Sequence, residues 1–287
     1  MKLTHSRITK FQKTILSFSA KEGRTFSWRS TRDPYAILVS EIMLQQTQVG
    51  RVVPKYMEWM KKFPNPESLA TAKIGEVLRL WQGLGCNRRA LNLKRTAEMI
   101  VKEYNGVFPK TVKDIDVLPG VGPYTAGAVG AFAFGIPSAF IETNIRTVYL
   151  HFFFKKKKKV RDEEILKLVE QTLPKHPLAS KTRLSPSKEG ERIGVREWYS
   201  ALMDYGAMLK KTEGNMNVRS AHYMKQAIFE GSRRQVRGAI LRLASKKGAV
   251  KVDDFRQYVS AHSVMDIISE LAKEGFLKKE GKTFRLA

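Results

Sequence analysis

Leu118-Pro-Gly-Val-Gly-Pro-Tyr-Thr125, followed by Glu142-Thr-Asn-Ile145, decides the reading of this chain. A short helix should end at Leu118, because Pro119 has no amide hydrogen with which to continue it. Gly120 and Gly122 allow positive φ and close backbone approach, and a helix restarts from Thr125. The pattern is a helix-hairpin-helix over 114–128. Its exposed amides, with the next helix's N-terminus, can hold a phosphate. A carboxylate and an amide then arrive together in the otherwise apolar segment Phe140-Ile-Glu-Thr-Asn-Ile145. A phosphate clamp beside a poised carboxylate points to nucleic-acid chemistry.

Bulk composition agrees. The 287 residues carry 52 Lys and Arg against 27 Asp and Glu, a formal charge of +25, which is the footprint of a polyanionic partner. Ribosomal and chromatin proteins are also this basic, so charge alone leaves enzyme and binder open. A hydrophobic fraction of 43% with four Trp and fifteen Phe excludes a disordered basic tail. The single cysteine, Cys86, excludes internal disulfides, Cys-ligated zinc and an iron–sulfur cluster held by one chain. It reads as a small buried side chain rather than a nucleophile. The N-terminus lacks the apolar core of a signal peptide, and the longest apolar stretch, 127–141, is too short to span a bilayer. A cytoplasmic, nucleoid-associated protein without membrane contact is expected.

Outward from the hairpin, the periodicity is helical. Ile8, Phe11, Ile15 and Phe18 mark a first helix, and a polar loop with Trp28 leads to a helix start at Asp33-Pro34. Further helices are predicted at 52–62, 66–71, 73–82, 87–104 and 195–211, with no convincing alternating strand before residue 270. Phe152-Phe-Phe-Lys-Lys-Lys-Lys-Lys159 reads either as a solvated basic loop or as a phosphate-contacting one. Residues 174–195 read as a mobile connection. The tail predicts helices around Val236–Leu243, Phe255–Val259 and Val264–Leu271. A hairpin around Glu280-Gly281 follows, giving a winged-helix-like domain.

Glu41 sits among apolar neighbours in Ala36-Ile-Leu-Val-Ser-Glu-Ile-Met-Leu44. Desolvation should raise its pKa and leave it able to donate a proton to a leaving base. An exposed or capped Glu on a polar helix edge is the plainer alternative. The histidines, His5, His151, His176, His222 and His262, form no metal-ligand spacing.

Four segments together resemble the MutY-type adenine DNA glycosylases of the endonuclease III superfamily, in order and spacing. They are Ser40-Glu-Ile-Met-Leu-Gln-Gln-Thr-Gln-Val49, Leu80-Trp-Gln-Gly-Leu-Gly85, Leu118-Pro-Gly-Val-Gly-Pro-Tyr-Thr-Ala-Gly-Ala128 and Met203-Asp-Tyr-Gly-Ala-Met208. The resemblance covers roughly residues 10–210. It implies a mainly α, two-lobed helix-hairpin-helix glycosylase fold. One lobe would comprise 1–30 and 145–230, a six-helix-barrel lobe 31–144, and a winged-helix-like domain 232–287. It also implies duplex DNA with a mispaired or damaged base as partner, a monomeric protein, and a target base flipped out of the stack.

Carried over by position, Glu41 would protonate adenine N7. Glu142 would stabilise the oxocarbenium-like sugar, Asn144 would orient groups around that carboxylate, and Tyr124 would help hold it or the sugar. Gln46 would wedge into the duplex. The implied DNA-contacting set is Gln45, Gln46, Thr47, Asn87, Arg88, Gly120, Val121, Gly122 and Thr125. A structural K+ or Na+ at the backbone carbonyls of Asp116, Leu118 and Val121 is admitted by resemblance. Bifunctional relatives place a lysine where this chain has Tyr124, so base removal with little or no lyase step is expected.

Four departures shape the expected function. Glu142 replaces the family Asp. Lys210, Asn217 and Ser220 stand where iron–sulfur cysteines are expected, implying no cluster and a compensating role for 209–225. Cys86-Asn87 replaces paired tyrosines that help probe the opposite strand. The winged-helix-like tail occupies the place of the domain that reads 8-oxoguanine in many members. The leading expectation is a monofunctional glycosylase acting on adenine opposite 8-oxoguanine or guanine. Alternatives are release of thymine or uracil opposite guanine, or of hypoxanthine, and a catalytically weak lesion-binding protein.

Overall fold

The helical periodicities become helices in the computed structural model, which describes residues 1–174, 194–225, 228–258 and 263–287. In chain order these are α1 (His5–Glu22), α2 (Ser27–Ser30), α3 (Pro34–Leu44), α4 (Val49–Lys62), α5 (Pro66–Ala70), α6 (Ile74–Trp81) and α7 (Arg88–Glu103). There follow α8 (Val112–Asp116), α9 (Pro123–Phe134), α10 (Thr143–Phe153), α11 (Asp162–Thr172), α12 (Val195–Thr212), α13 (Arg233–Lys247) and α14 (Val264–Lys273). Short strands β1 (Ala249–Val250), β2 (Leu277–Glu280) and β3 (Thr283–Leu286) complete the described structure. No helix among the described residues is long and apolar enough to cross a membrane.

The chain divides into two compact units. The first comprises Met1–Ile37, Lys110–Val117 and Val121–Lys225. Its core is aromatic: Phe11 of α1 meets the ring edges of Tyr149, Phe153 and Trp198 at 5.5, 5.0 and 5.6 Å. Trp198 and Tyr149 are fully buried, each burial of this kind being worth roughly 2–3 kcal/mol. Asp204, inside the quoted Met203–Met208 segment, is a buried clamp. Its carboxylate accepts from Arg24 Nε at 2.7 Å and from Arg29 Nη1 at 2.8 Å, fastening α12 to the α1–α2 region.

The second unit comprises Leu38–Pro109, Leu118–Gly120 and Gln226–Ala287. Trp59, Phe63 and Trp81 fill its helical core. Its C-terminal part is a three-stranded antiparallel sheet, order β1-β3-β2, on which Leu277 pairs with Leu286 and Glu280 with Thr283. This part packs against the helical core within the same unit. The carboxylate of Glu274, just past α14, meets Arg88 of α7 and Arg237 of α13, each at 2.6 Å, and Arg95 Nη2 donates to the Glu274 carbonyl at 2.8 Å.

Several expectations change. The helix before the hairpin ends at Asp116 rather than Leu118, and the next begins at Pro123 rather than Thr125. Proline suits the first helical position, where its missing N–H costs nothing, and Gly122 is the N-cap. Trp28 lies on the one-turn helix α2, stacked on Phe26, not in an irregular loop. The strand β1 precedes residue 270; at two residues it is too short to show alternation. The expected helix from Phe255 is a 3-10 segment, Val252–Tyr258, kinked at Phe255. Its predicted end at Val259 lies outside the described residues, as do most of the 174–195 connection, His176 and His262.

Candidate active site

Within the first unit, the chain arrives at Glu142 along a held path. Tyr199 of α12 stacks on Phe140 at 4.0 Å, and its hydroxyl donates to the Ser138 carbonyl at 2.7 Å. Burial raises the phenol's pKa, so this donor stays protonated. Glu142 is then the N-cap of α10. One carboxylate oxygen accepts the backbone N–H groups of Asn144 and Ile145 at 2.7 and 2.8 Å. The other accepts from Thr143 Oγ1 at 3.1 Å and from Asn144 Nδ2 at 3.3 Å. A negative group here also meets the positive end of the helix dipole.

The structure thus brings Glu142 and Asn144 together through two separate bonds. Tyr124, at the start of α9, sits edge-on to Phe140 at 5.7 Å and is partly buried. Thr125 is buried one residue further on, and Val121 and Gly122 lead into the same helix start.

In the second unit, Glu41 is 6% exposed on α3, among Leu38, Val39, Ser40, Ile42 and Met43, all buried. The helix is apolar on every side, so its one acid is desolvated. The turn after α3 carries Gln45, Gln46 and Thr47. Gln46 is exposed at the tip with φ 53, a left-handed conformation uncommon for a residue with a Cβ. Gly120, at φ 76, lies against Asn92, whose side chain would meet an added Cβ at 2.5 Å, and Thr96 Oγ1 donates to the Pro119 carbonyl at 2.9 Å. The hairpin's first glycine is required on both counts.

Arg89 organises this region, and the sequence reading passed over it for its neighbour Arg88. Its Nη1 donates to the carbonyls of Ile42 and Met43 at 2.6 and 3.1 Å, capping the last turn of α3. Its Nη2 donates to Thr47 Oγ1 at 3.1 Å and to the Leu84 carbonyl at 2.8 Å. Burial pulls the guanidinium's pKa down from its ordinary value. One side chain therefore joins the Gln45–Thr47 turn to the Gly83–Gly85 loop. The usable signal was spacing: Arg89 stands four residues before Leu93 and seven before Thr96, on the buried face of α7.

Arg88 is the more exposed of the two and pairs with Glu274. Cys86 is exposed at φ 39, contrary to the expectation of a buried side chain. It stands in the short loop between Gly85 and α7.

The residues at the expected cluster positions supply no thiolates. Lys210 lies in the last turn of α12. Asn217 is buried in the 3-10 turn Met216–Arg219, with Nδ2 donating to Thr147 Oγ1 at 2.9 Å and to the Thr143 carbonyl at 3.2 Å. Ser220 is buried in a backbone bridge with Val160. With one cysteine in the sequence, this donor set does not fit an iron–sulfur cluster. Among the described residues no group of three or more His, Cys, Asp or Glu could hold a metal ion.

Residues 39–175 match the family model described as HhH-GPD superfamily base excision DNA repair protein. The chain is 40% identical over 144 residues to an adenine DNA glycosylase of Buchnera aphidicola subsp. Baizongia pistaciae, covering 50% of this chain and 41% of that protein. It is 40% identical over 152 residues to the Homo sapiens adenine DNA glycosylase, covering 50% of this chain and 28% of the human protein. The chain therefore spans less than half the length of these relatives. Among solved structures it resembles a thermostable thymine-DNA glycosylase, with TM-score 0.60, 29% identity, and coverage of 72% of this chain and 89% of that one. A trapped endonuclease III–DNA covalent intermediate matches with TM-score 0.53 at 20% identity, over 74% of this chain and 88% of that one, a likeness of fold. The chain has the mainly helical helix-hairpin-helix glycosylase fold, with a small C-terminal sheet.

Proposed function

We propose that this chain is a monofunctional DNA glycosylase that hydrolyses the N-glycosidic bond of adenine mispaired with 8-oxoguanine or guanine, in base excision repair. The observation that carries the reading is the Glu142 carboxylate, held by four donors at the N-terminus of α10. A carboxylate fixed in this way can face developing positive charge on a sugar without reorganising. The 40% identity to adenine glycosylases supports adenine as the base.

In this reading duplex DNA is gripped through Gln45, Gln46, Thr47, Asn87, Arg88 and the hairpin residues Gly120, Val121, Gly122 and Thr125, and the target nucleotide is flipped out. Glu41, desolvated on α3, delivers a proton to adenine N7. The glycosidic bond breaks as Glu142 stabilises the oxocarbenium-like sugar, and water attacks C1′. Asn144 orients Glu142, and Tyr124 borders the sugar. A phenol forms no Schiff base, so the product is an abasic site in an uncut strand. The protein works as a monomer, without an iron–sulfur cluster. The Asn217–Thr147 bond and the Val160–Ser220 bridge hold the segment a cluster would brace. Carbonyl oxygens at Asp116, Leu118 and Val121 are donors of the type K+ or Na+ takes, and no step depends on that ion.

The test is single-turnover incubation with duplexes carrying adenine, thymine, uracil or hypoxanthine, each followed by alkali to cut abasic sites. Adenine release that disappears in Glu41→Gln supports the proposal. Thymine release opposite guanine would replace it with the reading that the thymine-DNA glycosylase likeness favours. Tight binding with no release would make the chain a lesion-binding protein.

A further inference from the structure

The C-terminal part of the second unit is seated beside Arg88. The Glu274 carboxylate meets Arg88 Nη2 at 2.6 Å, and a Cβ at Gly75 of α6 would press on Leu286 of β3 at 3.3 Å. Arg88 opens α7 and keeps 62% of its side chain exposed. A guanidinium has five N–H donors, so the pairing with Glu274 leaves others open to a further acceptor.

Strands β2 and β3 leave this anchor as a hairpin that turns at Gly281, with φ 58. Lys278, Lys279 and Lys282 are exposed on it. The hairpin's one acid, Glu280, is taken by Arg285 at 2.5 Å. The preceding acids, Glu270 and Glu274, are turned to Arg233, Arg237 and Arg88. Over residues 232–287 the sequence has 13 Lys and Arg against 6 Asp and Glu, and the hairpin carries part of that surplus outward. Lysines on an edge strand such as β2 also discourage pairing with another sheet. That role accounts for Lys278 and Lys279 but not for Lys282, which lies in the turn beyond the strand.

We propose that this lysine hairpin is a second DNA contact, holding the duplex backbone beyond the stretch gripped at Asn87 and Arg88. It rests on the glycosylase reading, which puts duplex DNA at those two residues. Lys278 and Lys279 stand four and five positions past Glu274, so their Cα atoms lie at most about 18 Å from that of Glu274. A DNA strand advances about 3.4 Å per phosphate, which brings the hairpin within about five base pairs of the Arg88 contact. An ammonium on a flexible stem meets phosphate as a point charge and carries no base readout. The contact is therefore independent of sequence and strongly salt-dependent.

The experiment follows binding of the full chain by fluorescence anisotropy across a range of salt concentrations. The probe is a long duplex with a central tetrahydrofuran abasic site, which has no base to release. Two further duplexes are cut to about three base pairs on one side of that site or the other, short of the reach of the hairpin. Wild type is compared with the triple variant Lys278→Ala, Lys279→Ala, Lys282→Ala. A control of equal charge, Lys10→Ala, Lys13→Ala, Lys21→Ala, removes three exposed lysines of α1. On the long duplex the hairpin variant should bind at least tenfold more weakly at about 0.1 M salt, and its log–log salt slope should shrink by about 2.7, as for three lost phosphate contacts. The loss should vanish on one of the two cut duplexes, and the α1 variant should bind like wild type. A hairpin variant with a wild-type melting curve and an unmoved slope overturns the proposal and leaves the lysines as edge guards. An equal loss in the α1 variant, or a loss that persists on both cut duplexes, overturns it as well. Binding is read without turnover, so an unmoved slope leaves the adenine reading standing. A reduced slope in a protein that releases no adenine upholds the hairpin contact and sinks the adenine reading instead.

Discussion

Arg89 Nη1 donates to the Ile42 carbonyl at 2.6 Å, so the first turn of α7 caps the last turn of the helix that carries Glu41. A helix leaves its final carbonyls without intrahelical partners, and a cation there also meets the negative end of the dipole. Because the same guanidinium reaches Thr47 and Leu84, it fixes the turn bearing Gln46 at its tip.

Arg89→Met should therefore destabilise the protein by about 3 kcal/mol, since several buried acceptors lose a charged donor at once. Urea denaturation measures that loss. Under stabilising conditions the variant should also release adenine at least tenfold more slowly, with Arg89→Lys recovering part of both. A variant with unchanged stability would show that water replaces the guanidinium without cost.

Glu142→Asp separates capping from chemistry. Aspartate is a good N-cap, so the melting temperature should stay within about 2 °C of wild type. The single-turnover rate should remain within roughly tenfold, because both side chains seat a carboxylate on the same amides. Glu142→Ala should lose about 1 kcal/mol of stability and at least a hundredfold in rate. An Ala variant of near wild-type rate would remove Glu142 from the mechanism.

The helix pattern and the hairpin were legible because local rules decide them. Gly120 in a left-handed turn follows from single-residue sterics, while the helix start expected at Thr125 falls two residues earlier, at Pro123, where proline suits the first helical position. Glu41 was legible too, since α3 is apolar on every side. Arg89 and Tyr199 were not, because each acts across a long stretch of sequence. Arg89 bonds Ile42 from 47 positions away, and Tyr199 bonds Ser138 from 61. Burial of a polar group follows from tertiary packing, and spacing gives only its helix face. Cys86 shows the reverse failure: its type suggested burial, while in its short loop it is exposed.

Glu274 ties the C-terminal part of the second unit to α7 and α13, and this linkage should be acid-sensitive. Burial works to raise its pKa, but hydrogen bonds from Arg88 and Arg237 outweigh burial and hold it below the ordinary carboxylate value. A depressed folded-state pKa contributes stability that is present above the unfolded-state value and lost as pH falls through the folded one. Glu274→Gln should thus melt lower than wild type at neutral pH, with the gap closing below about pH 4. Melting curves from pH 3 to pH 7 test this, and a gap independent of pH would rule out ionisation as the source.

Tyr124 is the second residue of α9, directly after the hairpin, and lies edge-on to Phe140, two residues before Glu142. If its ring borders the sugar, an amine at the same place would reach C1′ of the abasic product. Tyr124→Lys should then form a Schiff base that borohydride reduces to a covalent protein–DNA adduct, visible as a slow band on a denaturing gel. Wild type should give at least tenfold less adduct under the same conditions. Strand cleavage should rise together with trapping, because the imine acidifies the adjacent C2′ proton and opens the elimination route. The double variant Tyr124→Lys, Glu41→Gln should trap a preformed abasic site but release no adenine, separating the amine's reach from base excision. Absence of adduct in the folded single variant would place Tyr124 away from the sugar.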